Sequence, residues 1–308
     1  MIAHRKSGAT RSPNRANFFG DAMFETLQVV VGGARIPVLT NMADGTGDIV
    51  CFVHGNPGAG SDWGPLLERT AEFARVIAPD MPGFGDSERR SDQDFTVDSQ
   101  AAVLDGVLEH LDAARVHLVL HDFGGPWGLT WAAGNPEKVA SITIIDTGIN
   151  REARWNGFAK LWRTPVIGEL VQLLMTRRVN RSIIGKKNPE LPEKWLSEIV
   201  NHAAPRSTKR AVLKMYRSME LPELEARLTE KLRNLDVPAL VVWGGADPFI
   251  SVDLAQQQLK SFPGAKVEIV PGTGHWPWLD DHQSVEKVVI PFLLGNFTEV
   301  NSVTLGNS

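Results

Sequence analysis

Short apolar runs alternate with helical patterns over most of the chain. Runs rich in Val, Ile and Leu occupy 24–31, 34–40, 48–54, 74–79, 116–120, 140–146, 238–243 and 266–270, and helical periodicity falls near 60–72, 96–112, 124–134, 251–262 and 281–294. Strands that are apolar on both faces are typical of a parallel sheet covered by helices on both sides, and such alternation builds the sheet from βαβ units. The sequence therefore predicts an α/β fold with a mostly parallel central sheet and helices on both faces.

One long segment breaks this alternation. Residues 150–233 lie between two predicted strands, yet their apolar residues keep a helical spacing, with Leu161, Val166, Leu170 and Leu173 forming one stripe. We interpret 150–233 as a helical cap domain inserted into a core domain made of residues 23–149 and 234–296. The polar stretches 1–22 and 297–308 are predicted to be flexible tails. Ligands of open α/β sheets bind at the carboxyl ends of the strands, so the cap is expected to cover that end.

Composition excludes several classes of partner. A net charge of −4 argues against a nucleic-acid binder, which would carry a basic face. The single cysteine, Cys51, allows no intrachain disulfide and fits a reducing, cytoplasmic setting. No apolar run approaches the roughly 18 residues that span a membrane, and no phosphate loop, nucleotide fingerprint or metal-ligand spacing is present. We therefore expect a small-molecule substrate and no cofactor, metal, nucleic acid or membrane partner, and the oligomeric state stays open.

Polar motifs follow four of the predicted strands. HGNP contains Asn56, HDFGG contains Asp122, GGAD ends at Asp247 and GTGH ends at His275. These motifs, with the chain order nucleophile, acid, histidine, resemble the α/β-hydrolase fold family over about residues 24–295. The resemblance implies an α/β-hydrolase fold with the predicted cap above its active site.

The residue at the nucleophile position points to one branch of that family. Asp122 stands where most of these hydrolases carry the serine of a G-x-S-x-G turn, and an aspartate there resembles the haloalkane dehalogenases and the epoxide hydrolases. A carboxylate can attack an sp³ carbon and form an alkyl-enzyme ester, which has a carbonyl that water can attack. His275 would activate that water, and Asp247 would hold the imidazole. Asp146, at the end of the run 140–146, is the alternative acid.

The resemblance also implies contacts for the leaving group. Backbone N–H groups of Asn56 and Phe123 would form an oxyanion hole, and the Asn56 side chain would contact a halide. Phe123 occupies the place where dehalogenases carry a tryptophan, and phenylalanine has no N–H to donate. A tryptophan of the cap could supply that N–H instead. The candidates are Trp155, Trp162 and Trp195.

Two hydrolytic reactions stay open at this point. A haloalkane dehalogenase would convert a small apolar haloalkane and water to an alcohol and halide, and Asn56 and Leu120 favour this activity. An epoxide hydrolase would produce a diol and would need an acid from the cap, for which Tyr216, the one tyrosine of the chain, is the candidate. A catalytically silent ligand-binding module is the alternative outside enzymology, against which the complete set of Asp122, Asp247 and His275 argues.

Overall fold

The computed structural model describes residues 10–11, 24–41, 47–149, 155 and 157–305. Nine strands form one sheet in this part of the chain: β1 (Thr10–Arg11), β2 (Glu25–Val31), β3 (Ala34–Thr40), β4 (Gly47–Val53), β5 (Val76–Pro79), β6 (Ala113–His121), β7 (Val139–Ile145), β8 (Ala239–Gly244) and β9 (Lys266–Val270). Their order is β1-β2-β3-β5-β4-β6-β7-β8-β9. Pairing is antiparallel from β1 to β5 and parallel from β5 to β9, which confirms the predicted, mostly parallel sheet.

Helices cover both faces of this sheet. Those of the core are α1 (Gly64–Ala71), α2 (Val97–His110), α3 (Gly124–Gly134), α10 (Pro277–Asp280) and α11 (His282–Leu305). Side chains of β4 point alternately to the two faces. Ile49, Cys51 and Val53 pack in the apolar cluster that contains α2 and α3, whereas Val50 and Phe52 pack in the cluster that contains α1 and α11. The two apolar clusters explain why the strand sequences are continuously hydrophobic.

Six helices occupy the chain between β7 and β8, where the sequence predicts the cap. They are α4 (Gly157–Arg163), α5 (Ile167–Leu174), α6 (Arg177–Lys187), α7 (Glu193–Ala203), α8 (Arg206–Ser218) and α9 (Leu221–Arg233). Residues 150–154 and 156 of the predicted cap lie outside the described residues. This insertion after β7 places the helices at the carboxyl ends of the central strands.

The apolar stripe of the cap faces solvent. Val166, Leu170 and Leu173 are 70%, 57% and 70% exposed, whereas Gly168 and Gln172 of the same segment are buried. An amphipathic helix ordinarily turns its apolar face to the core. Helix α5 instead exposes apolar side chains and turns Gln172 towards the interior of the protein.

Both predicted tails contain regular structure. Thr10 and Arg11 pair with β2, and the rest of the predicted N-terminal tail, 1–9 and 12–22, lies outside the described residues. Helix α11 continues to Leu305, beyond the predicted boundary at 297. The ring of Phe297 packs 6.3 Å from Phe73 and 5.5 Å from His117, centroid to centroid, which anchors the helix at that boundary. Residues 306–308 lie outside the described residues.

Within the described ranges, no helix is both long enough and apolar enough to span a bilayer.

Candidate active site

Asp122 occupies a sharp turn between a strand and a helix. Strand β6 ends at His121 and α3 begins at Gly124, and the φ angle of Asp122 is 48°, in the left-handed region that is costly for a residue with a side chain. Close backbone approach makes glycine necessary on both sides of the turn. A Cβ at Gly124 would lie 2.1 Å from the Val53 carbonyl oxygen, and one at Gly55 would lie 2.3 Å from Asp122 Cβ.

Hydrogen bonds from two other segments hold this turn. The backbone carbonyl of Asp122 accepts from the Gly125 N–H at 3.0 Å and from the Thr147 hydroxyl, just after β7. His121 lies on the other side of the strand, where its Nε2 donates to the His275 carbonyl at 2.8 Å. Burial is the main reason that the pKa of His121 falls to about 3, so this ring is neutral and acts as a fixed hydrogen-bond donor. The turn and the loop that carries His275 are therefore fixed to each other.

The structure brings Asp122, Asp247 and His275 together from the ends of β6, β8 and β9. His275 Nδ1 donates to Asp247 Oδ2 at 2.8 Å, and His275 Nε2 lies 3.6 Å from Asp122 Oδ2. The other carboxylate oxygen of Asp247 accepts from the backbone N–H groups of Phe249 at 2.7 Å and Ile250 at 3.0 Å. The imidazole thus stands between two carboxylates, one of which is held rigidly by the backbone.

The charges of these three side chains depend on one another. Burial opposes ionisation of Asp122 and Asp247, but their interactions with His275 outweigh it, and the pKa of each carboxyl is lowered. Burial likewise opposes protonation of His275, but Asp247 and Asp122 together raise its pKa well above the usual value. In the resting protein an imidazolium therefore lies between two carboxylates.

The alternative acid, Asp146, takes a different position. It is fully buried, and its Oδ1 accepts from the Gly244 N–H at 2.9 Å. Burial and the nearby Asp247 charge raise the pKa of Asp146 well above its usual value. Asp247 accepts the hydrogen bond that His275 donates, whereas Asp146 accepts a hydrogen bond from the end of β8.

Asn56 contacts Asp122 through its backbone. Its N–H donates to Asp122 Oδ1 at 2.7 Å, the contact expected of an oxyanion-hole group. Phe123 contributes its ring to the wall of the site, where the ring lies 4.8 Å from that of Tyr216 and 6.0 Å from that of Trp127. Asp122 Oδ2 is the carboxylate oxygen left free to face a substrate.

A cavity of about 1090 Å³ opens above Asp122 and His275, between the core and the cap. Trp155, Trp162 and Tyr216 line it, with the Tyr216 ring 5.0 Å from that of Trp162 and 5.4 Å from that of Trp155. The indole nitrogen of Trp162 is buried and has no hydrogen-bond partner among the residues that the structure describes. Trp195 is not part of the wall. It packs in the apolar cluster of α7 beside Ile199, because its position on α7 faces away from the cavity.

The hydroxyl of Tyr216 lies at the catalytic end of the cavity. Burial raises the pKa of this phenol and the Asp122 carboxylate adds to the rise, whereas a hydrogen bond from the Asn56 side chain opposes it. The hydrogen bond and the charge effect both require the hydroxyl to lie close to Asn56 and Asp122. Its raised pKa makes it a hydrogen-bond donor that gives up its proton reluctantly.

A buried ion pair joins the cap to the core outside this cavity. His202 Nδ1 of α7 lies 3.1 Å from Asp62 Oδ1, in the turn Gly60–Trp63 that follows β4. Burial opposes the charge on His202, but the Asp62 carboxylate raises its pKa to about 9. This histidine therefore carries a charge at neutral pH.

Sequence reasoning missed several residues of the site. Thr147 supports the turn at Asp122, and Gln172, Asn180 and Thr208 line the cavity from the cap. Thr147 follows directly after a predicted strand, which is a signal that could have identified it. The three cap residues come from separate helices and belong to no motif.

Comparison with known proteins places the chain among hydrolases. A model of the α/β-hydrolase fold family matches residues 48–281. A 2-hydroxy-6-oxononadienedioate/2-hydroxy-6-oxononatrienedioate hydrolase of Paraburkholderia phymatum is 25% identical over 87% of this chain and 94% of its own. A haloalkane dehalogenase of Agrobacterium fabrum is 32% identical over 47% of this chain and 45% of its own. Epoxide hydrolase A of Mycobacterium thermoresistibile has a similar fold, with a TM-score of 0.74 and 18% identity over 88% of this chain and 98% of its own.

Proposed function

This chain belongs to the α/β-hydrolase fold family, and we propose that it is a hydrolase that uses the Asp122 carboxylate as its nucleophile on haloalkanes. One observation carries the proposal. Asp122 Oδ1 is held by the Asn56 N–H at 2.7 Å, while Oδ2 faces the cavity 3.6 Å from His275 Nε2. An anchored carboxylate with one free oxygen beside a histidine suits attack on a carbon followed by hydrolysis of the product ester.

The first step alkylates Asp122. Its Oδ2 donates an electron pair to the halogen-bearing carbon, and the carbon–halogen bond breaks with its electrons leaving on the halide. Oδ1 becomes the carbonyl oxygen of the ester and keeps the Asn56 N–H bond. The lowered pKa of Asp122 ensures that the nucleophile is ionised at neutral pH.

The second step depends on a change in His275. Ester formation removes the Asp122 charge, one of the two charges that raise the pKa of His275. A proton on the ring is then released to solvent more readily, and the neutral ring can take a proton from water. The resulting hydroxide attacks Asp122 Cγ, the Asn56 N–H stabilises the oxyanion on Oδ1, and the bond from Cγ to the alcohol oxygen breaks as His275 returns the proton to that oxygen. The new carboxyl group then loses its own proton to His275, so Asp122 regains a carboxylate that contains one oxygen from water, and one proton leaves with the halide overall.

Two N–H donors at the catalytic end support a halide as the leaving group. The Asn56 amide lies beside the Tyr216 hydroxyl, and the unpartnered indole N–H of Trp162 lies in the same aromatic wall. A buried donor without a partner costs about 1–3 kcal/mol, which a bound halide would recover. Trp162 would thereby supply the N–H that Phe123 lacks.

Epoxide hydrolysis is the second candidate, and Tyr216 is the observation that favours it. Its hydroxyl could protonate the alkoxide of an opening epoxide. The sequence contains no second tyrosine to share this task, and His202 is paired with Asp62 instead. The raised pKa of Tyr216 also makes it a weak acid.

The test uses the His275→Gln variant to stop the reaction at the ester. With a short bromoalkane we expect one equivalent of bromide per protein and then arrest, and mass spectrometry should place the alkyl group on the peptide that contains Asp122. Asn56→Ala keeps the backbone N–H but removes the side-chain amide beside the leaving group, so it should raise the barrier to wild-type turnover by about 2–4 kcal/mol, a loss comparable to that of one oxyanion-type donor. Trp162→Phe should also slow bromide release, whereas the matched Trp195→Phe change should not.

Bromide release, together with epoxide hydrolysis by Tyr216→Phe, decides between the two candidate reactions. If no bromoalkane releases halide and Tyr216→Phe abolishes diol formation from an aryl epoxide, the dehalogenase proposal is wrong. An alkyl group on any residue other than Asp122 would refute the nucleophile itself.

A further inference from the structure

The cavity has a second polar end, formed by the cap. Gln172 of α5, Asn180 of α6 and Thr208 of α8 all line it and are all more than nine-tenths buried. Their side chains make no hydrogen bond with any residue in the described part of the chain, and the Thr208 hydroxyl is fully enclosed without a partner. Buried polar groups are ordinarily hydrogen-bonded, because an unpaired one costs about 1–3 kcal/mol. The side-chain amides of Gln172 and Asn180 line the cavity without a partner in the described chain, and they are the groups that a ligand could bond.

The orientation of α5 supports this conclusion. The helix exposes Leu170 and Leu173 to solvent and turns Gln172 inward, against the usual preference for burying apolar side chains. Lys209 fixes this arrangement, because its Nζ donates to the carbonyl oxygens of Gln172 at 2.8 Å and Met175 at 2.6 Å, at the end of α5. The inward position of Gln172 is therefore built into the cap.

Two polar residues of the wall on the core side bond each other. Ser251 donates to Asp253 Oδ2 at 3.0 Å, and both residues are exposed.

Helix α8 fixes the distance between the two ends of the cavity. Thr208, Val212 and Tyr216 follow one another at four-residue intervals and all line the cavity, so they form one stripe along the helix. Eight residues at 1.5 Å each separate Thr208 from Tyr216 by about 12 Å along the helix axis. Val212 supplies an apolar surface between the two polar ends.

We propose that the amides of Gln172 and Asn180, beside Thr208, form a subsite for a hydroxyl or carboxylate group at the far end of the substrate. The substrate class is a linear molecule with its reactive carbon at Asp122, near the Tyr216 end of α8, and an oxygen group near the Thr208 end, about 12 Å further along that helix. With single bonds of about 1.5 Å, this corresponds to a chain of roughly ten carbons. Only the identity of the reactive end depends on the proposed function.

Binding of unreactive ligands tests the subsite without turnover. We would measure Kd by calorimetry for decane-1,10-diol and for decan-1-ol, which lacks the second hydroxyl. In Asn180→Leu the affinity of the diol should fall about tenfold relative to the alcohol, as for one lost hydrogen bond. Gln172→Leu should act in the same direction. The control is Thr143→Val, which removes a buried, unpartnered hydroxyl that lies in β7 and outside the cavity wall.

Chain length gives an independent measurement. Hexane-1,6-diol is too short to reach both ends, so its affinity should be the same in the wild type and in Asn180→Leu. The subsite is refuted if the wild type does not bind the decane diol, or if Asn180→Leu weakens diol and alcohol equally. If the diol result holds and no bromoalkane is hydrolysed, the subsite stands and the proposed reaction fails.

Discussion

Replacing Thr147 with valine tests which hydrogen bonds hold the turn at Asp122. The Thr147 hydroxyl donates to the Asp122 carbonyl, and valine keeps the shape of the side chain without the donor. Asp122 sits at a φ of 48°, so the turn needs its surrounding bonds to persist. The carbonyl keeps its second donor, the Gly125 N–H at 3.0 Å, and is not left unpaired. The expected loss in the free energy of unfolding is therefore that of one net hydrogen bond, about 1 kcal/mol, and not the 1–3 kcal/mol of an unsatisfied group.

Thr143→Val is the matched control with the opposite expected sign. Thr143 is fully buried in β7, and its hydroxyl has no hydrogen-bond partner among the described residues. Valine removes this unpaired group, so the protein should be unchanged or up to about 1 kcal/mol more stable. Urea unfolding followed by circular dichroism gives both values, provided the m-values of the variants agree.

Kinetics separate the two threonines further. Thr147→Val should slow alkylation of Asp122 about tenfold, because a displaced carboxylate approaches the carbon less often in line, whereas Thr143→Val should leave the rate unchanged. Equal stability shifts in the two variants, or faster alkylation in Thr147→Val, would refute the assignment of Thr147 as a positioning residue.

The remaining predictions concern titrating groups. Asp247→Asn should slow decay of the ester by about 10³–10⁴-fold in single-turnover experiments, as misorientation of the base does in Ser-His-Asp enzymes. Asp146→Asn should change the same rate far less, because Asp146 bonds the Gly244 N–H and His275 bonds Asp247, and the reverse ranking would identify Asp146 as the acid. His202 has a folded-state pKa of about 9, above its ordinary 6.5, so its ion pair with Asp62 stabilises the fold fully below pH 6.5 and is lost as pH rises through 9. The stability difference between wild type and His202→Gln should shrink over that window in urea unfolding, and a constant difference would contradict the pair.

The sheet and the three central side chains could be predicted because strand ends carry their own signals. Continuous apolar runs located the strands, and the motifs after them located Asp122, Asp247 and His275. The sequence left Asp247 and Asp146 as alternatives, since both follow a strand. Their difference lies in backbone bonds: two N–H groups hold Asp247 beside His275, whereas the Gly244 N–H holds Asp146 at β8.

The cap was less predictable because periodicity shows that a helix has two faces and not which face turns inward. The apolar stripe that contains Leu170 faces solvent. Trp195 packs away from the cavity, although its indole N–H made it a candidate for a leaving-group contact. The polar end formed by Gln172, Asn180 and Thr208 depends on the mutual placement of three helices. No local pattern in the sequence encodes that placement.

The central strand of the sheet also carries a chemical probe of its own opening. Cys51, the one thiol of the chain, is fully buried in β4, between β5 and β6, and burial raises its pKa further from neutrality. A thiol reagent can modify it only when the helical layer on this face of the sheet opens and the thiolate becomes accessible. The rate of labelling under native conditions would therefore report the free energy of opening the core on that face, without any engineered label. Comparing that value with the free energy of global unfolding would show whether the core opens in parts or only as a whole.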